Sequence, residues 1–254
     1  MLIYQELGAQ VLQASIRIGS LLYVSPVSVS ESQALRGGIP VLFPQFADRG
    51  PLRKHGFARD LPWRLVEQVA HADVHRVVFE LHIHASEQRN WSHSAQLVLT
   101  AQLTLNALHM HLQVRNTGST TFKWTGGLHP YWATVDLSAS QLLGLHGAAV
   151  QDRYNPHKTT QTQAAVSWHG EEFECLYDTQ APLQLQTPTH SIQLKMTGFD
   201  QWMLWNPGKA GAETLKDLPN DDWKRFVCIE PVRVIRPSVL QPGEGFEGGL
   251  SVEV

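Results

Sequence analysis

Leu97, Leu99, Ala101, Leu103 and Leu105 alternate with Val98, Thr100, Gln102 and Thr104. That period of two belongs to a strand with one face turned inward. After Asn106 and Ala107 the alternation resumes, with Leu108, Met110, Leu112 and Val114 set against His109, His111 and Gln113. The two runs predict an antiparallel hairpin. Val77, Phe79, Leu81 and Ile83, set against Val78, Glu80, His82 and His84, predict a further strand, and shorter runs recur at 11–18, 163–168, 182–187, 190–196, 226–230 and 250–254. Roughly fifteen strand segments at spacings of about 8–12 residues are expected of a sandwich or barrel. Long helical periodicity is absent. The segment 213–224 holds the one short helix, and Pro219, Asn220 and Asp221 within it favour a turn over several helical turns. Neither a repeat nor a Ser/Gly/Pro linker divides the chain. The expectation is an all-β fold, one domain over residues 1–254, built as a large antiparallel β-sandwich with few short helices.

Composition narrows the class. The 254 residues are 43% hydrophobic and 17% charged, with eight Trp, enough to bury a large core without staples and unlike a disordered chain or a coiled coil. A net charge of −3 lacks the basic excess that nucleic-acid or membrane-surface binding needs. Cys175 and Cys228 lie in apolar runs and read as buried free thiols in a reducing compartment. Glu6, with no basic residue before Arg17, is unlike a signal peptide, and no apolar stretch has the length of a membrane span. A cytoplasmic location is expected.

Charge is the strongest local anomaly. Between residues 36 and 64, Arg36, Arg49, Arg53, Lys54, Arg59 and Arg64 face only Asp48 and Asp60, a local +4 in a chain of net −3. Glycines and prolines make much of this segment loop. Its plain reading is a solvated basic loop; its functional reading is recognition of a small anion, for which the planar Arg fork suits phosphate. His82 with His84, and His109 with His111, have the H-x-H spacing of metal ligands, and Glu80 is near the first pair. Both pairs fall on the polar side of their strands, where histidine is an ordinary outward residue.

Three other polar residues stand out: His129 in Gly126-Gly127-Leu128-His129-Pro130-Tyr131-Trp132, Glu174 beside Cys175, and Glu230 at the end of Phe226-Val227-Cys228-Ile229-Glu230. Alternation puts Glu230 on the face of Phe226 and Cys228, and an ionised carboxylate is costly there unless paired. Either it is a structural ion pair, with Arg233 or Arg236, or it is a catalytic carboxylate. The chain has no nucleophile elbow, P-loop, dinucleotide fingerprint or H-E-x-x-H.

At these residues the sequence resembles the hexose-6-phosphate mutarotases (glucose-6-phosphate 1-epimerases) of the aldose-1-epimerase group. The matching blocks are Arg36-Gly37-Gly38-Ile39-Pro40-Val41-Leu42-Phe43-Pro44, His55-Gly56-Phe57-Ala58-Arg59, Leu128-His129-Pro130-Tyr131-Trp132, Trp205-Asn206-Pro207, and Asp217-Leu218-Pro219 through Glu230. They appear in family order over about 36–231. The resemblance implies a galactose mutarotase-like sandwich, with His129 as general acid and Glu230 as general base. It also implies Arg36 and Arg59 at the sugar phosphate, with Lys54 where the family commonly has Gln and Glu174 where it has a substrate-binding Asp. No cofactor and no metal are implied, and the expected partner is a phosphorylated hexose met by a monomer. Ring opening then needs Glu230 to take the anomeric hydroxyl proton while His129 protonates the ring oxygen. Glu230 is expected to stay ionised, its pKa raised by an apolar wall and limited by nearby donors. The competing expectations are a sugar-binding module on the same fold and a metal-dependent isomerase built on the H-x-H pairs.

Overall fold

The computed structural model describes residues 1–27 and 34–254. Two large antiparallel sheets organise the chain, with a small three-stranded sheet at the N-terminus. The larger has nine strands in the order Ala165–Ser167, Gln141–Leu143, Leu183–Gln186, Ser191–Thr197, Gly245–Glu253, Ala107–Asn116, Ala95–Thr104, Val74–Ile83 and Arg64–Ala70. The second runs Ala149–Asp152, Phe173–Asp178, Gln201–Asn206, Phe226–Leu240, Phe122–Leu128 and Val41–Leu42, and Tyr131–Ala133 also pairs with Phe226–Leu240. The expected all-β sandwich is what forms. Its long hairpin is Ala95–Thr104 with Ala107–Asn116, in which Leu99 opposes Leu112.

Alternation then assigns each face. Leu97, Leu99, Leu112 and Val114 from the nine-stranded sheet share one buried cluster with Cys175, Tyr177, Trp202, Leu204, Val227 and Ile229 from the seven-stranded one. The residues between these, Glu174, Leu176, Met203, Trp205, Cys228 and Glu230, therefore point to the opposite face of the seven-stranded sheet. On that face Leu176 and Met203 belong to one small apolar cluster, and Phe226, Cys228 and Tyr131 to another. A polar cleft lies between them.

Two details differ from the sequence expectations. The helix forms at Gly208–Thr214, ahead of 213–224, where the chain instead makes a turn and a 3-10 segment at Asp222–Arg225. Asn206 explains the shift: its buried amide donates to the carbonyls of Trp223 and Phe226 and accepts from the Gly208 N–H, so the helix starts where that residue can hold it. Cys175 and Cys228 are buried free thiols, as expected. Among the described residues no helix is long and apolar enough to cross a membrane.

Candidate active site

Strand register assembles the cleft floor. Met203 pairs with Glu230, and Trp205 pairs with both Glu174 and Cys228. Cys228 in turn pairs with Tyr131. Side chains far apart in sequence thus stand side by side on one face. His129 enters from the end of Phe122–Leu128, its N–H donating to the Pro40 carbonyl at 2.9 Å. This approach depends on Gly127, where a Cβ would lie 2.2 Å from the Pro231 carbonyl oxygen. Any side chain there would push the His129 strand away from the Glu230 strand.

The result is a cleft that brings together all six residues singled out in the sequence: Arg36, Lys54, Arg59, His129, Glu174 and Glu230. His55, Tyr131, Arg153, Met203 and Trp205 line it as well.

His129 and Glu230 form its buried centre. Nε2 of His129 is 3.4 Å from Oε1 of Glu230, with side chains 8% and 1% exposed. Among the described residues neither Nδ1 of His129 nor Oε2 of Glu230 has a hydrogen-bond partner. Tyr131 stacks on the imidazole at 4.9 Å and Trp205 meets it edge-on at 6.1 Å. Burial pushes the Glu230 carboxyl well above the ordinary carboxylate range, helped by the charge of Glu174 and opposed by Lys54. Burial likewise pulls His129 down to about 3, and Arg59, Arg36 and Lys54 act in the same direction. Both shifts favour the uncharged forms, a protonated carboxyl beside a neutral imidazole. Of the donors expected to limit the rise at Glu230, none among the described residues reaches Oε2, and Lys54 is the cation that opposes the rise. Nor do Arg233 and Arg236 pair with it: Arg233 reaches Asp200, and Arg236 reaches Asp178 and Asp200.

Four cations line the cleft: Arg36, Lys54, Arg59 and Arg153. Nε of Arg36 donates to Asp217 at 2.8 Å, and its guanidinium lies 5.9 Å from the Trp205 ring centroid. Leu218 and Pro219 explain why Asp217 is fixed: Leu218 is buried in the cluster of Tyr131 and Phe226, and a following proline restricts its backbone. Arg59 donates to the Lys54 carbonyl at 3.2 Å and lies 3.7 Å from Asp60, which also holds Arg53 at 2.6 Å. Across the cleft, Arg153 donates to Glu174 at 2.9 Å.

His55, Arg153 and Asp217 gave no chemical signal in the sequence. His55 has φ of 68°, a left-handed backbone uncommon outside glycine. Its Nδ1 accepts from the Ala47 N–H at 3.3 Å, which assigns the proton to Nε2, and its ring meets His129 at 5.4 Å. Burial first, and then the charges around it, hold its pKa far below the ordinary value, so it is a neutral donor. The signal available was its place before Gly56 in a motif block.

The H-x-H pairs do not converge. The strand Ala95–Thr104 separates the strands carrying His82 and His109. Their partners are surface ones: His82 is 3.1 Å from Glu80, His109 3.0 Å from Ser251 and His111 3.5 Å from Glu247.

Residues 6–253 match the aldose 1-epimerase family. The chain is similar to a protein of Cenchrus ciliaris provisionally named glucose-6-phosphate 1-epimerase, 26% identical over 91% of this chain and 74% of that one. A protein of Escherichia coli K12 with the same provisional name is 28% identical over 78% of this chain and 67% of that one. A crystal structure of a provisionally assigned mutarotase, YeaD, from Salmonella typhimurium superposes with a TM-score of 0.85, covering 98% of this chain and 86% of that one at 24% identity. That likeness establishes a shared fold.

Proposed function

We propose, from the premise that this chain belongs to the aldose 1-epimerase family and is an epimerase, that it interconverts the α and β anomers of glucose 6-phosphate. The provisional names of its relatives point to this substrate. The observation that carries the reading is the placement of the cations. Arg36, Lys54 and Arg59 share the cleft with His129 and Glu230. In a hexose 6-phosphate the phosphate is carried on C6, the exocyclic carbon bonded to C5 beside the ring oxygen. An acid serving that oxygen and a phosphate cradle must therefore be neighbours.

Glu230 as carboxylate takes the proton from the anomeric hydroxyl. The electron pair of that O–H bond forms the C1 carbonyl, the C1–ring-oxygen bond breaks, and the ring oxygen takes the proton on Nε2 of His129. Rotation about C1–C2 presents the other carbonyl face. The C5 hydroxyl then adds to C1 while returning its proton to His129, and Glu230 returns a proton to the anomeric oxygen. One proton thus crosses from His129 to Glu230 and back, so the single proton of the pair is the catalytic stock. Arg36 and Arg59 hold the phosphate, Lys54 assists at the mouth of the cleft, and Glu174, steadied by Arg153, and the Nε2–H of neutral His55 meet sugar hydroxyls. Positioned acid-base groups contribute about 10²–10⁴-fold, which suits a reaction that water already performs slowly.

Two-dimensional exchange NMR on glucose 6-phosphate, with free glucose and galactose in parallel, tests the reading. Faster α/β exchange of the phosphosugar than of the free sugars is the expected result. Equal acceleration of all three would remove the phosphate from the substrate definition, and ligand binding without exchange would make the chain a sugar-binding module.

A further inference from the structure

Cys228 takes no part in the proton transfers above, yet it stands beside both groups that do. It lies two positions before Glu230 on Phe226–Leu240, so the two side chains leave the strand on the same face. His129 joins them from the end of the neighbouring strand, two residues before Tyr131, which pairs with Cys228. A thiol sulfur, an imidazole nitrogen and a carboxylate oxygen thereby lie within 4.8 Å of one another, with all three residues buried. Among the described residues no other three His, Cys, Asp or Glu side chains converge in this way. Glu230 adds an independent sign: its side chain is 1% exposed, and Oε2 has no hydrogen-bond partner among the described residues.

Tetrahedral coordination by these atom types, with bonds of about 2.0–2.3 Å, holds ligand atoms about 3.3–3.6 Å apart. Nε2 of His129 and Oε1 of Glu230 already stand at 3.4 Å. Movements of about an ångström close the rest of the set. A soft thiolate beside an imidazole and a carboxylate suits Zn²⁺, whereas Mg²⁺ and Ca²⁺ take oxygen ligands. Three protein ligands leave the fourth position open to the cleft. Charge agrees as well: thiolate and carboxylate cancel a divalent cation, so the filled site adds no net charge beside Arg36, Lys54 and Arg59.

We propose that His129, Cys228 and Glu230 form a Zn²⁺ site whose occupation switches the enzyme off. On binding, the thiol proton and any proton on Glu230 pass to solvent, and lone pairs of the imidazole, the thiolate and the carboxylate go to the metal. Neither His129 nor Glu230 can then exchange a proton with the sugar. The loss of activity rests on the acid-base reading above; the binding of metal does not.

Co²⁺ and Zn²⁺ are the probes. Co²⁺ titrated into the wild-type protein without sugar should produce the thiolate-to-metal charge-transfer absorption of a Cys-ligated site, and Zn²⁺ should displace it. Cys175→Ala, which removes the other thiol, should keep that band, and Cys228→Ala should lose it. Exchange NMR on glucose 6-phosphate, with a protein-free control at each metal concentration, should show turnover falling to the protein-free rate with Zn²⁺. Chelator should restore it, and Mg²⁺ at the same concentration should leave it untouched. Cys228→Ala should keep wild-type turnover without metal and need at least about a hundredfold more Zn²⁺ for half-inhibition, because even an outer-shell partner is worth about 10–100-fold in affinity. A wild-type protein without the Co²⁺ band overturns the site, even where Cys228→Ala fails to fold. Inhibition that Cys228→Ala leaves unchanged places the metal on surface histidines and overturns it equally. A Cys228-dependent band with undiminished turnover overturns the switch. The two readings fail separately: a protein that accelerates no sugar refutes the proposed function, and the band, read without substrate, still decides the metal site.

Discussion

Replacing Glu230 by Gln separates catalysis from folding, because the structure predicts opposite effects on the two. The carboxyl is 1% exposed, its Oε2 has no partner among the described residues, and its Oε1 lies 3.4 Å from Nε2 of His129. Glutamine keeps the shape and neutrality that burial already favours, but it cannot take the anomeric proton. Loss of one positioned base corresponds to about 10²–10⁴-fold in turnover, or about 3–5 kcal/mol of transition-state stabilisation at 1.36 kcal/mol per factor of ten. Folding should change by no more than about 1 kcal/mol near pH 4–5, since an unsatisfied buried polar group, costing about 1–3 kcal/mol, is present before and after. The assay is exchange NMR on glucose 6-phosphate, with thermal unfolding and sulfate binding on the same preparation. A loss in turnover smaller than about tenfold, in a variant that still binds sulfate, would remove Glu230 as the base.

The same variant carries a pH signature with a fixed sign. The folded-state pKa of Glu230 lies above the unfolded value, with burial as the main cause. Its contribution to stability is therefore intact below the unfolded pKa of 4.5 and is lost as pH rises through the raised folded value. Glu230→Gln abolishes that loss, so its unfolding temperature should gain on wild type progressively as pH rises from 4.5. His129 works in the other direction: lowered from 6.5 to about 3 by burial, it contributes stability above pH 6.5 that is lost as pH falls toward 3. A Tm difference between Glu230→Gln and wild type that shrinks with rising pH would refute the burial argument.

Three further outcomes follow from the geometry. Gly127→Ala drives a Cβ to 2.2 Å from the Pro231 carbonyl oxygen and should cost about 1–3 kcal/mol by forcing the backbone apart; Gly245→Ala, with its nearest neighbour at 3.5 Å, is the control, and equal melting of the two refutes the close-approach reading. Asp217→Ala frees the guanidinium of Arg36 and should raise KM for glucose 6-phosphate about tenfold with little change for free glucose, whereas Asp217→Asn, which keeps an acceptor for Nε, should recover most of it; identical kinetics for both variants would deny Asp217 that role. Activity should decline at alkaline pH as the pair loses its single proton, with the limb above the ordinary carboxylate range, and Glu230→Gln should abolish that limb along with turnover; a limb that survives unchanged in the residual activity of the variant belongs to another group.

Much of this arrangement is written in alternation. Phe226 to Glu230 assigns Val227 and Ile229 to the inter-sheet core and turns Cys228 and Glu230 to the cleft, and the structure follows that parity throughout. Of the two readings of Glu230, the structural ion pair does not form: Arg233 pairs with Asp200, and Arg236 with Asp178 and Asp200. The helix at Gly208–Thr214 was hidden because seven residues with two glycines carry too little period to register, and what holds its start is the tertiary contacts of Asn206. Contacts across long separations were equally silent: Arg36 meets Asp217, and Arg153 meets Glu174, through pairings that no local pattern encodes.

His55 marks the sharper limit. A lone histidine in a basic loop carries no chemistry by type, and only the fold turns its backbone left-handed, fixes its tautomer on the Ala47 N–H and sets its ring against His129. The protonation of Glu230 has the same character. A sequence shows that a carboxylate shares a face with apolar groups, but not whether donors accompany it. Here none among the described residues reaches Oε2, and that changes the chemistry. A Glu230 tied to backbone N–H groups would stay ionised and ready whatever was bound. An untied one is held neutral by burial, so readiness depends on the charges around the pair, and Arg36, Lys54 and Arg59 line the same cleft.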